Sequence, residues 1–287
     1  MFSQRVENVR KNSSLVHCIT NYVTVNDCAN VVLACGASPI MADDPSEAAQ
    51  ITSNCQSLVL NMGTLNKRRL EAMILAGKQA NKFSHPVILD PVGAGASSMR
   101  REALKQLSKE VRFSVIKGNI SEMRALFAAN IRPGKGVDAR EADIVTEANL
   151  TDQIAYAARL SSMTGAVIIV TGALDLVVSE KQAYVIYNGH PMMARITGSG
   201  CMLGALLGAF AGSNKEAPLE AAAAAVAMTG ICGERAGKKV EIEQKGTGSF
   251  RTYFIDEVSL ITGNDVEQEK KIKRYEYKDS WRIEDEG

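Results

Sequence analysis

The chain has 287 residues, 46% hydrophobic and 23% charged, with 33 Lys and Arg against 32 Asp and Glu. That is the composition of a globular protein large enough to hold a core without disulfides. A net charge of +1 gives no drive toward nucleic acid or an anionic membrane surface, and no run of about 18 apolar residues marks a membrane span.

The polar segment Met1–Lys11 lacks the apolar stretch of a secretory signal. The six cysteines form no CxxC pair, and His17, His85 and His190 show no zinc-ligand spacing. A reduced, cytoplasmic chain is expected. Leu15–Thr20 reads as a buried strand. Thr24 then looks like the N-cap of a helix carrying Asp27, Ala29, Val32 and Leu33, with Gly36 beyond its end. A short extended piece, Pro39–Met41, precedes a helix start marked by Asp44, Pro45 and Glu47. Ser57–Met62 is a strand, and Thr64–Phe83 has helical spacing through Leu70, Met73, Ile74 and Gly77.

The alternation continues with strand Pro86–Pro91, helix Arg101–Lys109, strand Arg112–Lys117 and helix Ser121–Ala129. Asn130–Asp143 holds Pro and Gly and reads as a loop. Helix Leu150–Met163 and strand Ala166–Thr171 follow. Leu176–Ser179 and Ala183–Tyr187 then flank Glu180-Lys181-Gln182, a hairpin signal. Thr197–Cys201 opens an Ala/Gly/Leu helix to about Ala211. Further helices are expected over Leu219–Arg235 and Phe250–Ile261. This pattern predicts a three-layer α/β fold with a mostly parallel sheet between helices. No linker divides residues 1–264. In the remaining segment, 265–287, 14 of 23 residues are charged, and Trp281 is the only tryptophan. Composition predicts a mobile, solvated tail there.

Chemistry concentrates at strand ends and at one helix start. Gly198 and Gly200 let backbone approach a ligand, and the first N–H groups of the following helix, Gly198–Ser199–Gly200, would form an anion hole. Cys201 lies at the same helix start, where a thiol can serve as base or nucleophile. The bland alternative is a glycine turn before a packed helix, with Cys201 as a small apolar filler. Asn61, Asp90, Lys117, Asn119 and Thr171 each end or follow an apolar run, and parallel sheets bind ligands at that edge. Asp90 and Glu122 suit Mg²⁺ held with water and phosphate oxygens, and Lys117 suits phosphate. Singly, each has a structural explanation: a turn cap, a complement to a helix dipole, a solvated cation. Together they favour a site. His17, inside a strand, reads as a satisfied core histidine.

The segments LVHCITN (Leu15–Asn21), GASPIMA (Gly36–Ala42), NMGT (Asn61–Thr64), DPVGAG (Asp90–Gly95), KGNISE (Lys117–Glu122), TG (Thr171–Gly172) and TGSGC (Thr197–Cys201) occur in the order found in hydroxyethylthiazole kinases. Over about Leu15–Ile261 the sequence resembles that family. The resemblance implies a ribokinase-like α/β fold without a separate lid. It implies transfer of the γ-phosphoryl group of ATP, with Mg²⁺, to the primary alcohol of 4-methyl-5-(2-hydroxyethyl)thiazole, in thiamine salvage. It also implies a homotrimer with pockets between subunits. Matched by position, Asn21, Val23, Met41 and Gly198 correspond to thiazole-pocket residues, Lys117 and Thr171 to ATP contacts, and Asp90 and Glu122 to the Mg²⁺ and phosphate acids. Cys201 stands where ribokinases commonly carry an aspartate base. Lys117 replaces a common arginine, keeping the charge without the bidentate fork. The alternatives are a kinase of the same fold acting on hydroxymethylpyrimidine or pyridoxal, and a non-catalytic nucleotide sensor.

Overall fold

In the computed structural model, which describes residues 2–130, 145–278 and 280–283, apolar strands of four or five residues alternate with helices through the first two thirds of the chain. Helix α1 (Phe2–Asn12) leads into β1 (Leu15–Ile19), α2 (Val25–Ala34), the short β2 (Ser38–Ile40), α3 (Ala48–Ser53), β3 (Ser57–Asn61) and α4 (Lys67–Lys82). Then come β4 (Val87–Asp90), α5 (Ser98–Glu110), β5 (Val115–Gly118), α6 (Ile120–Asn130), α7 (Leu150–Thr164) and β6 (Val167–Val170). The pairings β2-β1-β3-β4-β5-β6 are all parallel, as right-handed crossover units produce.

Beyond β6 the sheet turns antiparallel. The hairpin β7 (Asp175–Val178) and β8 (Gln182–Ile186) extends it, closed by Ser179 N donating to Gln182 O at 2.8 Å. Helices α8 (Ser199–Ser213), α9 (Pro218–Ile242), α10 (Thr247–Leu260) and α11 (Gly263–Glu269) follow, then strands β9 (Ile272–Tyr277) and β10 (Trp281–Ile283). The ten-stranded sheet runs β10-β9-β8-β7-β6-β5-β4-β3-β1-β2.

Side chains alternate across the sheet with the period of two that strands impose. Val16, Cys18, Val59, Ile88, Val115 and Ile169 face α1, α2 and α8–α11. Leu58, Leu60, Leu89, Ile116, Ile168 and Val170 face α3–α7. The result is the expected three layers. The glycines of α8 have a packing reason. A methyl group at Gly208 would lie 2.5 Å from Val59 Cγ2 and 2.7 Å from Val16 Cγ1, so the α8 backbone rests directly on β1 and β3. That close seat brings the start of α8 to the carboxyl ends of the strands.

Several expectations change. Phe2, Val6 and Val9, spaced four and three apart, bury one face of α1, a helix that its polar composition concealed. Thr24 precedes α2, but its hydroxyl donates to Asn21 Oδ1 instead of capping the helix. Helix α4 starts at Lys67, capped by Asn66, because Thr64 adopts φ +36°. The described part of the charged C-terminal segment is no free tail: β9 pairs with β8 over Ile272–Ile186 to Glu276–Gln182, and Tyr275 is buried. The predicted loop Asn130–Asp143 lies, apart from Asn130, outside the described residues. Among the described residues no helix is long and apolar enough to cross a membrane.

Candidate active site

Strands β1, β3, β4, β5 and β6 end on one rim, and each delivers a polar group there: Asn21 just past β1, Asn61 and Asp90 as the last residues of β3 and β4, Lys117 near the end of β5, Thr171 just past β6. The start of α8 closes the rim. A side chain at Gly204 would meet Asp90 Oδ2 at 3.3 Å, which shows how near the helix passes.

These groups interlock. Cys201 Sγ accepts Nδ2 of Asn21 at 3.1 Å and Nδ2 of Asn61 at 3.3 Å. Asn61 Nδ2 also donates to Asp90 Oδ2 at 2.8 Å, while its Oδ1 accepts from Gly63 N at 2.9 Å and Asn21 Nδ2 at 3.1 Å. Lys117 Nζ donates to Asp90 Oδ1 at 3.2 Å and to Gly200 O at 3.1 Å. Asn21, Asn61, Asp90 and Lys117 are buried, and Cys201 is half-buried. Burial pushes the Asp90 carboxyl up to about 6, against the pull of Lys117 and with the help of Glu122. For Lys117, burial disfavours the charge, but Asp90, Glu122 and Cys201 outweigh it and hold the ammonium above its ordinary value. The rim therefore carries a fixed cation beside the helix start.

Gly198 precedes α8 at φ +89°, and a Cβ there would lie 2.5 Å from Thr24 Cγ2. Glycine is required on both counts. As N-cap, Gly198 offers no side-chain cap, so the first-turn N–H groups of α8 have no intrahelical partner. Gly200 has its own constraint, a would-be Cβ 3.0 Å from Lys117 Nζ.

Glu122 serves a helix start. Its Oε2 accepts Asn119 N at 2.8 Å while Asn119 Oδ1 accepts Glu122 N at 3.0 Å, and its Oε1 accepts Gly93 N at 3.0 Å. Each oxygen of Asp90 and Glu122 thus already takes one N–H and keeps one lone pair. Among the described residues no group of three or more His, Cys, Asp or Glu is placed to hold a metal. The pair fits an ion such as Mg²⁺ that keeps its waters and arrives on phosphate oxygens.

Of the thiazole-pocket candidates, Asn21 and Gly198 meet through Thr24, and Met41 is half-buried beside the core. Val23, between Asn21 and Thr24 in the chain, is 64% exposed. His17 is the satisfied core histidine expected, bonded to Thr52 Oγ1 at 2.8 Å and Ala42 O at 2.7 Å.

Sequence reasoning missed a cavity of about 630 Å³ beside the start of α8, bordered by Thr171, Asp175, Asn188, His190, Ser199 and Gly200. Burial pushes the Asp175 carboxyl up to about 6, against a hydrogen bond from Gly172 N at 2.9 Å. Thr171, Ser199 and Gly200 on the cavity's border were candidates from the sequence, and another stretch of its wall was signalled by the turn-forming run Asn188-Gly189-His190-Pro191 after the hairpin.

A model of the hydroxyethylthiazole kinase family matches residues 6–264. The hydroxyethylthiazole kinase of Clostridium acetobutylicum is 50% identical over 275 residues, 96% of this chain and 100% of the relative. A solved structure of the hydroxyethylthiazole kinase protein from Pyrococcus horikoshii OT3 aligns with a TM-score of 0.84 at 30% identity, covering 95% of this chain and 98% of that one. A ribokinase-like superfamily protein from Enterococcus faecalis shares the fold at 12% identity and a TM-score of 0.56, over 88% and 89% of the two chains. With the whole body matched at this identity, the chain belongs to the hydroxyethylthiazole kinase family, phosphotransferases with an alcohol acceptor on a ribokinase-like fold.

Proposed function

We propose that this rim transfers the γ-phosphoryl group of ATP to the primary alcohol of 4-methyl-5-(2-hydroxyethyl)thiazole, producing the thiazole phosphate for thiamine biosynthesis by salvage. The observation that carries the assignment is Cys201 Sγ, held by two amides at the uncapped start of α8, so that a base and an anion hole adjoin. Phosphoryl transfer is mostly positioning and charge stabilisation, and a base adds to it.

Asn21, Val23, Met41 and Gly198 hold the thiazole. Cys201 Sγ takes the proton of the alcohol. The N–H groups of the Gly198–Ser199–Gly200 turn receive charge on the transferring phosphoryl group, and Lys117 holds a cation beside them. Thr171 and the cavity of about 630 Å³ take the rest of the nucleotide, since Ser199 and Gly200 border both spaces. Asp90 and Glu122 would hold Mg²⁺, which supplies neutralisation of phosphate charge.

Tyr22 and Val23, next to Asn21 in the chain, and Leu33 on α2 are 62%, 64% and 57% exposed. Uncovered apolar side chains of this kind support a homotrimer in which a neighbouring subunit covers them and shares the pocket. Six free cysteines support a reducing, cytoplasmic setting. Residues 1–264 form the kinase unit, to which 265–287 is added.

The test is ADP release from ATP and Mg²⁺ with and without hydroxyethylthiazole, with pyridoxal and hydroxymethylpyrimidine in parallel. Thiazole-dependent release is expected. Release with another alcohol instead would remove the thiazole assignment, and ATP binding without turnover on any of the three would leave a nucleotide sensor.

A further inference from the structure

The charged segment after residue 264 meets the cavity wall. Asn188, buried, follows β8 and borders the cavity. Its Nδ2 donates to Glu269 O at 3.1 Å and to Glu234 Oε1 at 3.3 Å, and its Oδ1 accepts Lys271 N at 2.7 Å. One residue earlier, Tyr187 N donates to Lys271 O at 2.9 Å. One residue later, Gly189 N donates to Glu234 Oε1 at 3.0 Å, and Glu234 Oε2 pairs with Lys271 Nζ at 2.8 Å. One turn before Glu234 the wall also presses on the backbone of α9: a Cβ at Gly230 would lie 2.6 Å from Asn188 O.

We propose that the C-terminal segment is a positioning element for the nucleotide, fixing Tyr187–Gly189 so that the cavity is shaped before ATP enters. The proposal rests on the assignment of this cavity to the nucleotide. Segments that follow a strand are ordinarily the mobile part of a site. Here the backbone of residues 269–271 supplies three bonds to Tyr187 and Asn188, so the wall is held by the path of the segment more than by its side chains. A wall held in advance spares the nucleotide the cost of ordering it. The composition that suggested a solvated tail is explained as well: its charged side chains are exposed, as Lys271 is, or paired at partial burial, as Arg274 and Glu276 are, while the backbone does the holding.

Four variants of the full chain test this. Asn188→Ala removes the clamp. Lys271→Pro removes the N–H given to Asn188, whereas Lys271→Ala removes only the ion pair with Glu234. Tyr275→Ala loosens β9 while leaving the bonds to Asn188 in place. Asn188→Ala and Lys271→Pro should raise both KM for ATP and the calorimetric Kd for ADP by about tenfold, with KM for the alcohol moving less than about twofold. Lys271→Ala should have a smaller effect on ADP than Lys271→Pro, and Tyr275→Ala should lower Tm yet leave ADP affinity in place. Unchanged ADP affinity in Asn188→Ala, or an equal loss in Tyr275→Ala, would overturn the proposal. Ala194→Trp, which fills the cavity from an exposed position on its border, separates the two levels. If it abolishes ADP binding while Asn188→Ala does not, only the role of the C-terminal segment fails. If it leaves ADP binding intact, the nucleotide lies elsewhere and both ideas fall.

Discussion

Lys117→Met keeps the stem of the side chain and removes its charge from the centre of the rim. In the wild type the ammonium lies 3.2 Å from Asp90 Oδ1, and burial has already raised that carboxyl to about 6. At that separation and an effective dielectric of ~20, the attraction is about 5 kcal/mol, or roughly four pH units for the carboxyl. That is a ceiling, because the site relaxes when the cation goes. A third of it would still carry Asp90 above 7. A carboxylate whose value is raised is ionised above that value and protonated below it, so activity that needs ionised Asp90 falls as pH drops through about 6. Profiles of kcat/KM for ATP against pH should therefore show an acid limb near 6 in the wild type and above 7 in Lys117→Met. On the proposed mechanism the variant also loses a phosphate contact, which lowers the whole curve at every pH, so the position of the limb, not its height, isolates the effect on Asp90. Lys117→Arg keeps the charge and should keep the limb near 6. A limb that stays put in Lys117→Met would show that the cation does not govern Asp90.

Other variants address the remaining roles. Cys201→Ser should lower kcat by about 10² to 10⁴-fold while ADP titration shows nucleotide binding retained. Loss of binding there would refute the base assignment, and Cys201→Asp should keep kcat at or above the wild-type value because a carboxylate is ionised at neutral pH. Gly198→Val should be inactive and less stable, since it strikes Thr24 and forces a branched residue to φ +89°; wild-type kinetics would remove the anion hole. Asp175→Asn should unfold at higher temperature than the wild type at pH 8 and at the same temperature near pH 4. The folded value of about 6 lies above the unfolded one, so the folded wild type binds more protons between them and loses stability as pH rises through that window, while the amide does not. A Tm difference independent of pH would contradict the burial of that carboxyl. Light scattering that gave a monomer with full activity would refute the shared pocket.

The parallel half of the fold was legible because its strands are continuous apolar runs and its helices repeat at helical spacing. The rim was legible for the same reason: a polar residue ending an apolar strand, as Asp90 does after Val87–Leu89, has only one edge of a parallel sheet to occupy. What composition hid was the contribution of sparse patterns. Three apolar residues suffice to seat α1, and in β9 Tyr275 alone is fully buried against the sheet while its neighbours stay charged. A strand at the margin of a sheet needs backbone partners more than apolar side chains, so a charge count reads it as solvated. Asn188 was invisible for another reason: its partners lie 46 to 83 residues away.

Asn61 shows why the site is more than the sum of strand ends. Its amide touches Asn21, Gly63, Asp90 and Cys201, groups supplied by four separate segments. Replacing it would leave the buried Asn21 and Asp90 and the half-buried Cys201 short of a partner at once, and a half-satisfied polar network costs more than an apolar one. The same economy bears on the metal. Every oxygen of Asp90 and Glu122 already answers to an N–H of the protein, so each has one lone pair left for an ion. Their remaining lone pairs point the division of labour one way. On the proposed mechanism the protein fixes the base, the cation and the helix start in advance, and Mg²⁺ would enter with the phosphates it already neutralises. Calorimetry should accordingly detect Mg²⁺ binding only in the presence of nucleotide. Tight binding to the free protein would mean that Glu122 releases Gly93 and Asn119 to take the ion, and that the start of α6 reorganises with it.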